Sequence, residues 1–308
     1  MLLKIMIVGA GGIGGYIAGK LCARFGDVTL VARGTQLAAI RERGLTLVDE
    51  GISSTVTPAL CTDNPAEAGI QDAILLCTKG YGLEGAVREV QPCIGPHTLL
   101  VPLLNGVNTH ERVQEYAQSG IALDGCIYVF SRIIAPGVIE KTGPIIRVLL
   151  GLPGIPAVKQ PEPVHTLCQM LNESGVNCEV PDDIIKETWI KWSFICSNGQ
   201  ATAYYNVSIG VLRENPEMWA FLTGLLDEVL LMAQKEGVVL PEDLRERHLA
   251  AVQKLPYEAT SSFARDLNEP NKPTELNLFA GEVCRMAEKH GVDVPCNRRV
   301  FERFSGRV

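Results

Sequence analysis

From Lys4 onward the chain alternates between short apolar runs and stretches in which apolar residues return every three or four positions. Lys4-Ile5-Met6-Ile7-Val8 is bounded at once by Gly9-Ala10-Gly11-Gly12-Ile13-Gly14. An apolar run of that length that stops at glycine predicts a buried strand. Ile13, Ile17, Leu21 and Phe25 then recur at four-residue spacing and predict a helix. Further strands are predicted over 28–32, 72–79 and 98–104, separated by helical or loop segments. Such alternation implies right-handed β-α-β units and a mainly parallel sheet. Residues 121–130 and 145–150 also read as strands. The turn chemistry of Pro136-Gly137 and Gly143-Pro144 allows part of the sheet there to run antiparallel. A helix over 164–171 and a last strand over 176–180 complete this half.

After Pro181 the period changes. Asp182 is placed to cap a helix running through about residue 198. Residues 216–236 predict another, whose wide apolar face (Phe221, Leu222, Leu225, Leu226, Val229, Leu230 and Met232) serves either as domain core or as a homodimer contact. Helices over 242–254 and 274–290 follow, and strand-like runs are scarce. The expected fold class is α/β: an N-terminal Rossmann-type, mainly parallel sheet over 1–180 and an all-α domain over 181–308.

The opening turn carries the sharpest chemistry. A Gly-x-Gly-x-x-Gly between a predicted strand and a predicted helix is the dinucleotide fingerprint in its proper context. Gly9 permits the tight turn, Gly11 lets backbone approach a pyrophosphate, and Gly14 lets helix and strand pack closely. The N–H groups and positive dipole end of the helix, around Ala10, Gly12 and Ile13, then face phosphate. The plain alternative is a glycine-rich turn that binds nothing. No acid follows at the end of the second strand, where an NAD-binding unit places one for the ribose; Arg33 stands there instead. A guanidinium would pair with a 2′-phosphate, so NADP(H) is favoured over NAD(H), unless Arg33 is an ordinary surface arginine.

Composition narrows the class further. The chain has 308 residues, enough for two domains, and 46% are apolar. A formal charge of −7 argues against a nucleic-acid partner. No charge-free apolar stretch is long enough to span a membrane, and a strand begins within a few residues of Met1, so a cytoplasmic protein without a signal peptide is expected. Ten cysteines occur without a Cys-x-x-Cys and read as reduced, and the five histidines show no ligand spacing, so no metal is expected.

Two strand ends bear polar groups where ligands of parallel sheets bind: Thr78-Lys79 and Asn105-Gly106. Each is either a contact near a nicotinamide or simply a loop lysine and a turn. Lys191 lies among Trp189, Ile190, Trp192 and Phe194. Facing inward, its amine would be desolvated and better able to donate a proton; facing outward, its stem would cover apolar surface with the head in water. Thr274 and Glu275 read as the cap and first turn of the last long helix.

Taken in order, these motifs resemble the ketopantoate reductase (2-dehydropantoate 2-reductase) family along nearly the whole chain: residues 9–14, Thr78-Lys79, Asn105-Gly106, Trp189-Ile190-Lys191, Ser261-Ser262 with Asp266, Pro273-Thr274-Glu275 and Pro295-x-Asn297. The resemblance implies NADPH-dependent reduction of a 2-keto acid, 2-dehydropantoate, to its 2-hydroxy acid in pantothenate biosynthesis. It implies that Lys191 is the general acid, with Glu275 beside it and beside the nicotinamide ribose. It implies that Arg33 meets the 2′-phosphate and that Lys79, Asn105 and Ser131 approach the cofactor. Asn198, Ser208 and Ser262 would contact substrate. Ile195 and Ser208 stand where the family has asparagines, which leaves open a reductase of a different 2-keto or 3-hydroxy acid. A dinucleotide-binding protein without catalysis is the remaining alternative.

Overall fold

The computed structural model describes residues 2–269 and 273–307. The chain divides into two compact units. The first comprises the residues up to Leu104 together with Asn108–Ile185; the second comprises Asn105–Val107 and the residues from Lys186 onward.

In the first unit the elements run β1 (Ile5–Val8), α1 (Gly12–Phe25), β2 (Val28–Val31), α2 (Gly34–Arg43), β3 (Leu45–Asp49), β4 (Ile52–Val56), β5 (Leu60–Thr62), β6 (Gln71–Leu76), α3 (Leu83–Glu89), β7 (Ile94–Pro102), α4 (Thr109–Tyr116), β8 (Ile121–Ala122), β9 (Asp124–Ala135), β10 (Val138–Gly151), α5 (Glu162–Glu173) and β11 (Cys178–Glu179). Six strands form one sheet in the order β5-β2-β1-β6-β7-β8, all parallel. Counted within that sheet, the order is 3-2-1-4-5-6, the doubly wound arrangement whose direction reverses beside β1. β1 and β2 are buried along their whole length, which is why they read as unbroken apolar runs.

A second, mixed sheet has the order β11-β10-β3-β4, with β9 antiparallel to β10. The Pro136-Gly137 turn is the tip of that β9–β10 hairpin, with Gly137 at φ +78°. α1 is tied to this sheet by Asp49 at the end of β3. Its carboxylate accepts from the Tyr16 hydroxyl at 2.8 Å and pairs with Lys20 at 3.1 Å and with buried Lys141 of β10 at 2.8 Å. Burial alone would raise the Asp49 pKa, but these donors hold it at about 2.

The strand expected over 121–130 divides between the sheets. Leu123 still donates to Leu100, whereas fully buried Asp124 accepts from the Thr109 hydroxyl at 2.8 Å and the His110 N–H at 3.0 Å, and β9 leaves from there.

The second unit is helical, with no strand among the described residues. Its elements are α6 (Ile184–Tyr205, whose first two residues belong to the first unit), α7 (Ile209–Glu214), α8 (Pro216–Lys235), α9 (Leu244–Lys254), α10 (Ser262–Asn268), α11 (Ala280–His290) and α12 (Pro295–Phe304). The apolar face of α8 is core: Leu222, Leu225 and Val229 are fully buried within the single chain. Asn215 caps α8 by accepting from the N–H groups of Glu217 and Met218. The Asp182 carboxylate accepts from Ala157, and α6 begins two residues later. The helix expected over 274–290 is interrupted. A 3-10 turn at Leu276–Leu278 ends at Phe279, whose φ of −112° and ψ of −102° lie outside the helical region, and α11 starts beyond it. Among the described residues no helix is long and apolar enough to cross a membrane.

Candidate active site

In the first unit, β1 delivers the chain into the glycine turn at the reversal of strand order. Gly9 has φ +102°, the left-handed region that favours glycine, and a Cβ on Gly14 would lie 2.0 Å from the Gly9 carbonyl oxygen. A Cβ on Gly11 would meet nothing within 4 Å, so the protein leaves the space above it open. Gly11 is the N-cap of α1 and no side chain caps that helix, so its N-terminal turn faces the space with backbone alone.

A cavity of about 440 Å³ lies there. Gly9, Ala10, Gly11 and Arg33, all singled out by sequence, are among its lining residues; Gly12, Ile13, Gly14, Lys79 and Ser131 are not. Gly12 is instead covered by β9, since a Cβ there would stand 2.6 Å from the Ser131 carbonyl oxygen. Lys79 precedes a 3-10 turn over Gly80–Gly82. Thr78 Oγ1 and Ser131 Oγ are buried without a hydrogen-bond partner. Arg33 sits at the end of β2 with a 70% exposed side chain and pairs with Glu89. A helix N-terminus, unspent hydroxyls, a guanidinium and an open volume above Gly11 together fit a phosphorylated dinucleotide. Gln36, Glu89 and Ile133 also line the cavity and escaped the sequence reading. The available signal was the run Gly82, Gly85, Ala86, Glu89, which shares one helical face at i, i+3, i+4, i+7 and leaves its first three positions small.

In the second unit, α6 carries Lys191 at only 9% exposure. Its Nζ donates to Asn105 Oδ1 at 3.1 Å, and Asn105 Nδ2 donates to Glu275 Oε2 at 3.3 Å. Three residues picked separately from sequence thus form one chain of contacts. The lysine head is engaged by protein rather than extended into water. Trp189 and Trp192, its buried neighbours in sequence, meet edge to face at 5.2 Å, and Trp192 Nε1 donates to the Leu278 carbonyl at 2.9 Å. That bond ties α6 to the 3-10 turn that follows Glu275. Glu275 therefore does not open a long helix as expected; it precedes the short turn and aims its buried carboxylate at Asn105.

Other polar residues lie farther along α6. Asn198, two turns on, is buried and donates to the Phe194 carbonyl at 2.6 Å. Thr202 Oγ1 meets Ser261 Oγ at 2.9 Å, about 16 Å along the axis from Lys191. Ser261, not Ser262, does the structural work there: its Oγ caps α10 by accepting from Ala264, while Ser262 is exposed. Ser208 is the N-cap residue of α7. Half-buried Ile195 occupies the turn between Lys191 and Asn198.

Two supports of α6 were not anticipated. Glu228 of α8 accepts from the N–H groups of Cys296 and Asn297 and from Asn297 Nδ2, and Asn297 in turn accepts from Gln200 of α6 at 2.8 Å. His248 of α9 places Nε2 2.9 Å from Ser193 Oγ and 3.1 Å from the Ile190 carbonyl. Burial pushes the His248 pKa down to about 4. Both supports depend on pairing between residues 55 to 97 positions apart, for which local sequence offers no pattern.

A doubly wound sheet with this glycine turn at its reversal fits a dinucleotide-dependent enzyme, and the family and relatives that match the chain indicate an NADP-dependent oxidoreductase. The family model described as ketopantoate reductase PanE/ApbA matches residues 5–152, and its C-terminal counterpart matches 183–307. The chain belongs to the ketopantoate reductase family. It is 32% identical to the 2-dehydropantoate 2-reductase from Porphyromonas gingivalis W83, over 99% of this chain and 100% of that one, with a TM-score of 0.83. It is 26% identical to the uncharacterized oxidoreductase YkpB of Bacillus subtilis over 97% of both. The D-mandelate dehydrogenase solved with NADH and anilino(oxo)acetate shares the fold, with a TM-score of 0.85 at 20% identity over 99% of this chain and 98% of that one.

Proposed function

We propose that this protein reduces 2-dehydropantoate to pantoate with NADPH, in the cytoplasm and in the route to pantothenate, with Lys191 as general acid. The Lys191–Asn105–Glu275 chain of contacts carries the reading. When bound, NADPH supplies the hydride that adds to the substrate's carbonyl carbon. The carbonyl oxygen gains negative charge as that carbon is reduced, and the Lys191 ammonium stabilises the charge and donates the proton that completes the hydroxyl. Asn105 accepts from Lys191 and fixes the direction of the amine. Glu275, reached through Asn105, supplies the compensating negative charge in a buried setting. Residues 1–180 hold the dinucleotide and 181–308 the substrate. The backbone of Gly9–Gly14 takes the pyrophosphate, with Gly12 and Ile13 in the first turn of α1. Arg33 takes the 2′-phosphate, and Lys79 and Ser131 border the nicotinamide half. Asn198, the nearest of the three to Lys191 along α6, orients the acid, whereas Ser208 at the start of α7 and exposed Ser262 lie farther from the amine.

Ile195 supports a second reading within the same chemistry. A half-buried apolar residue one turn past the proton donor offers nothing to a substrate hydroxyl, which favours 2-oxo acids with purely apolar branches. The test is NADPH oxidation with 2-dehydropantoate beside 3,3-dimethyl-2-oxobutanoate, which differs from it by one hydroxyl. Turnover of 2-dehydropantoate with release of pantoate is expected. Turnover of the deoxy acid alone selects the second reading, and NADPH binding without turnover of any oxo acid removes both.

A further inference from the structure

Arg33 and Glu89 are the charged members of the cavity lining, and they are paired with each other. Arg33 projects from the start of α2 and Glu89 is the last residue of α3, 56 positions later. A carboxylate at the C-terminal end of a helix sits at the negative pole of the helix dipole, so its own element does not favour its charge. Its partner is the guanidinium that a 2′-phosphate would need.

We infer that Glu89 is a specificity-determining residue that competes with the cofactor's 2′-phosphate for Arg33 and so narrows the preference for NADPH over NADH. The inference rests on the reading of this cavity as the dinucleotide site. A phosphate arriving at Arg33 must displace the Glu89 carboxylate and then lie beside it, like charge against like. A dinucleotide with a bare ribose meets no such opposition. It can leave the ion pair intact, or it can offer its 2′-hydroxyl to Glu89 in the way acids serve NAD-binding units. Arg33 is largely exposed and Glu89 is 22% exposed, so water screens both the attraction and the repulsion and the effect is modest.

Titration calorimetry of the whole protein with 2′,5′-ADP and 5′-AMP isolates this end of the cofactor from the nicotinamide and from turnover. Glu89→Gln keeps the shape and removes the charge. The variant is expected to bind 2′,5′-ADP and NADPH about threefold to tenfold more tightly than wild type, with 5′-AMP and NADH unchanged or weaker. Glu89→Ala should move the same way, which separates loss of charge from any new bond made by glutamine. Equal changes for the phosphorylated and unphosphorylated ligands, or none for either, overturn the inference while leaving the cavity assignment standing. Failure of wild type to bind 2′,5′-ADP or NADPH at all overturns the cavity assignment and this inference with it.

Discussion

At the scale of single residues, the site is a matter of what surrounds one amine. Lys191 was legible because it stands among Trp, Ile and Phe, and Glu275 because it follows Pro273-Thr274. Their connection through Asn105 was not legible, since it joins positions 86 and 170 apart. Asn105→Ala breaks both of its bonds and leaves two buried charged groups without their common partner. It is expected to lower kcat at least about tenfold with little change in the NADPH dissociation constant, as read by steady-state kinetics and nicotinamide fluorescence. Glu275→Gln keeps the hydrogen-bonding shape but removes the charge. Its expected effect is also on kcat, and a variant that changed only KM would place Glu275 in ground-state binding instead.

At the scale of elements, two glycines of one turn separate packing from binding. Gly14→Ala forces a Cβ against the Gly9 carbonyl, where backbone must move, and is expected to cost about 1–3 kcal/mol of stability, seen as a lower thermal midpoint. Gly11→Ala meets no protein atom, so its midpoint should match wild type while NADPH affinity falls, because the methyl enters the space kept for the ligand. A fall in midpoint for Gly11→Ala with affinity intact would contradict the assignment of that space. The strand–turn–helix that holds these glycines was plain in sequence because each part has a local signature. Where expectation and structure part, the cause is tertiary. Asp124 divides the 121–130 strand by bonding to α4. Phe279 breaks the last helix, so the Thr274-Glu275 cap pattern opens only a short turn. α2 and the β3–β4 hairpin escaped notice because α2 is amphipathic only weakly and β4 is mostly exposed.

At the scale of the whole molecule, the alternating pattern predicts the parallel sheet and its helical companion, and the Pro136-Gly137 turn predicts the antiparallel β9–β10 part, whereas the separation into a second sheet has no local signal because β10 also pairs with β3 and β11 from distant regions. Stability should depend on pH through His248. Its folded pKa of about 4 lies below the ordinary 6.5, so between those values the unfolded chain takes up a proton that the folded chain refuses. Stability present above pH 6.5 is therefore lost as pH falls, by about 2 kcal/mol at pH 5. The thermal midpoint of wild type is expected to drop more between pH 7.5 and 5 than that of His248→Gln. Equal drops would mean that His248 is not held neutral. The proposed chemistry depends on the proton donor, and Lys191→Ala addresses it directly. With NADPH binding confirmed by fluorescence, kcat for the 2-oxo acid should fall by about 10²–10⁴-fold; turnover within a few-fold of wild type would contradict the assignment of Lys191 as the acid.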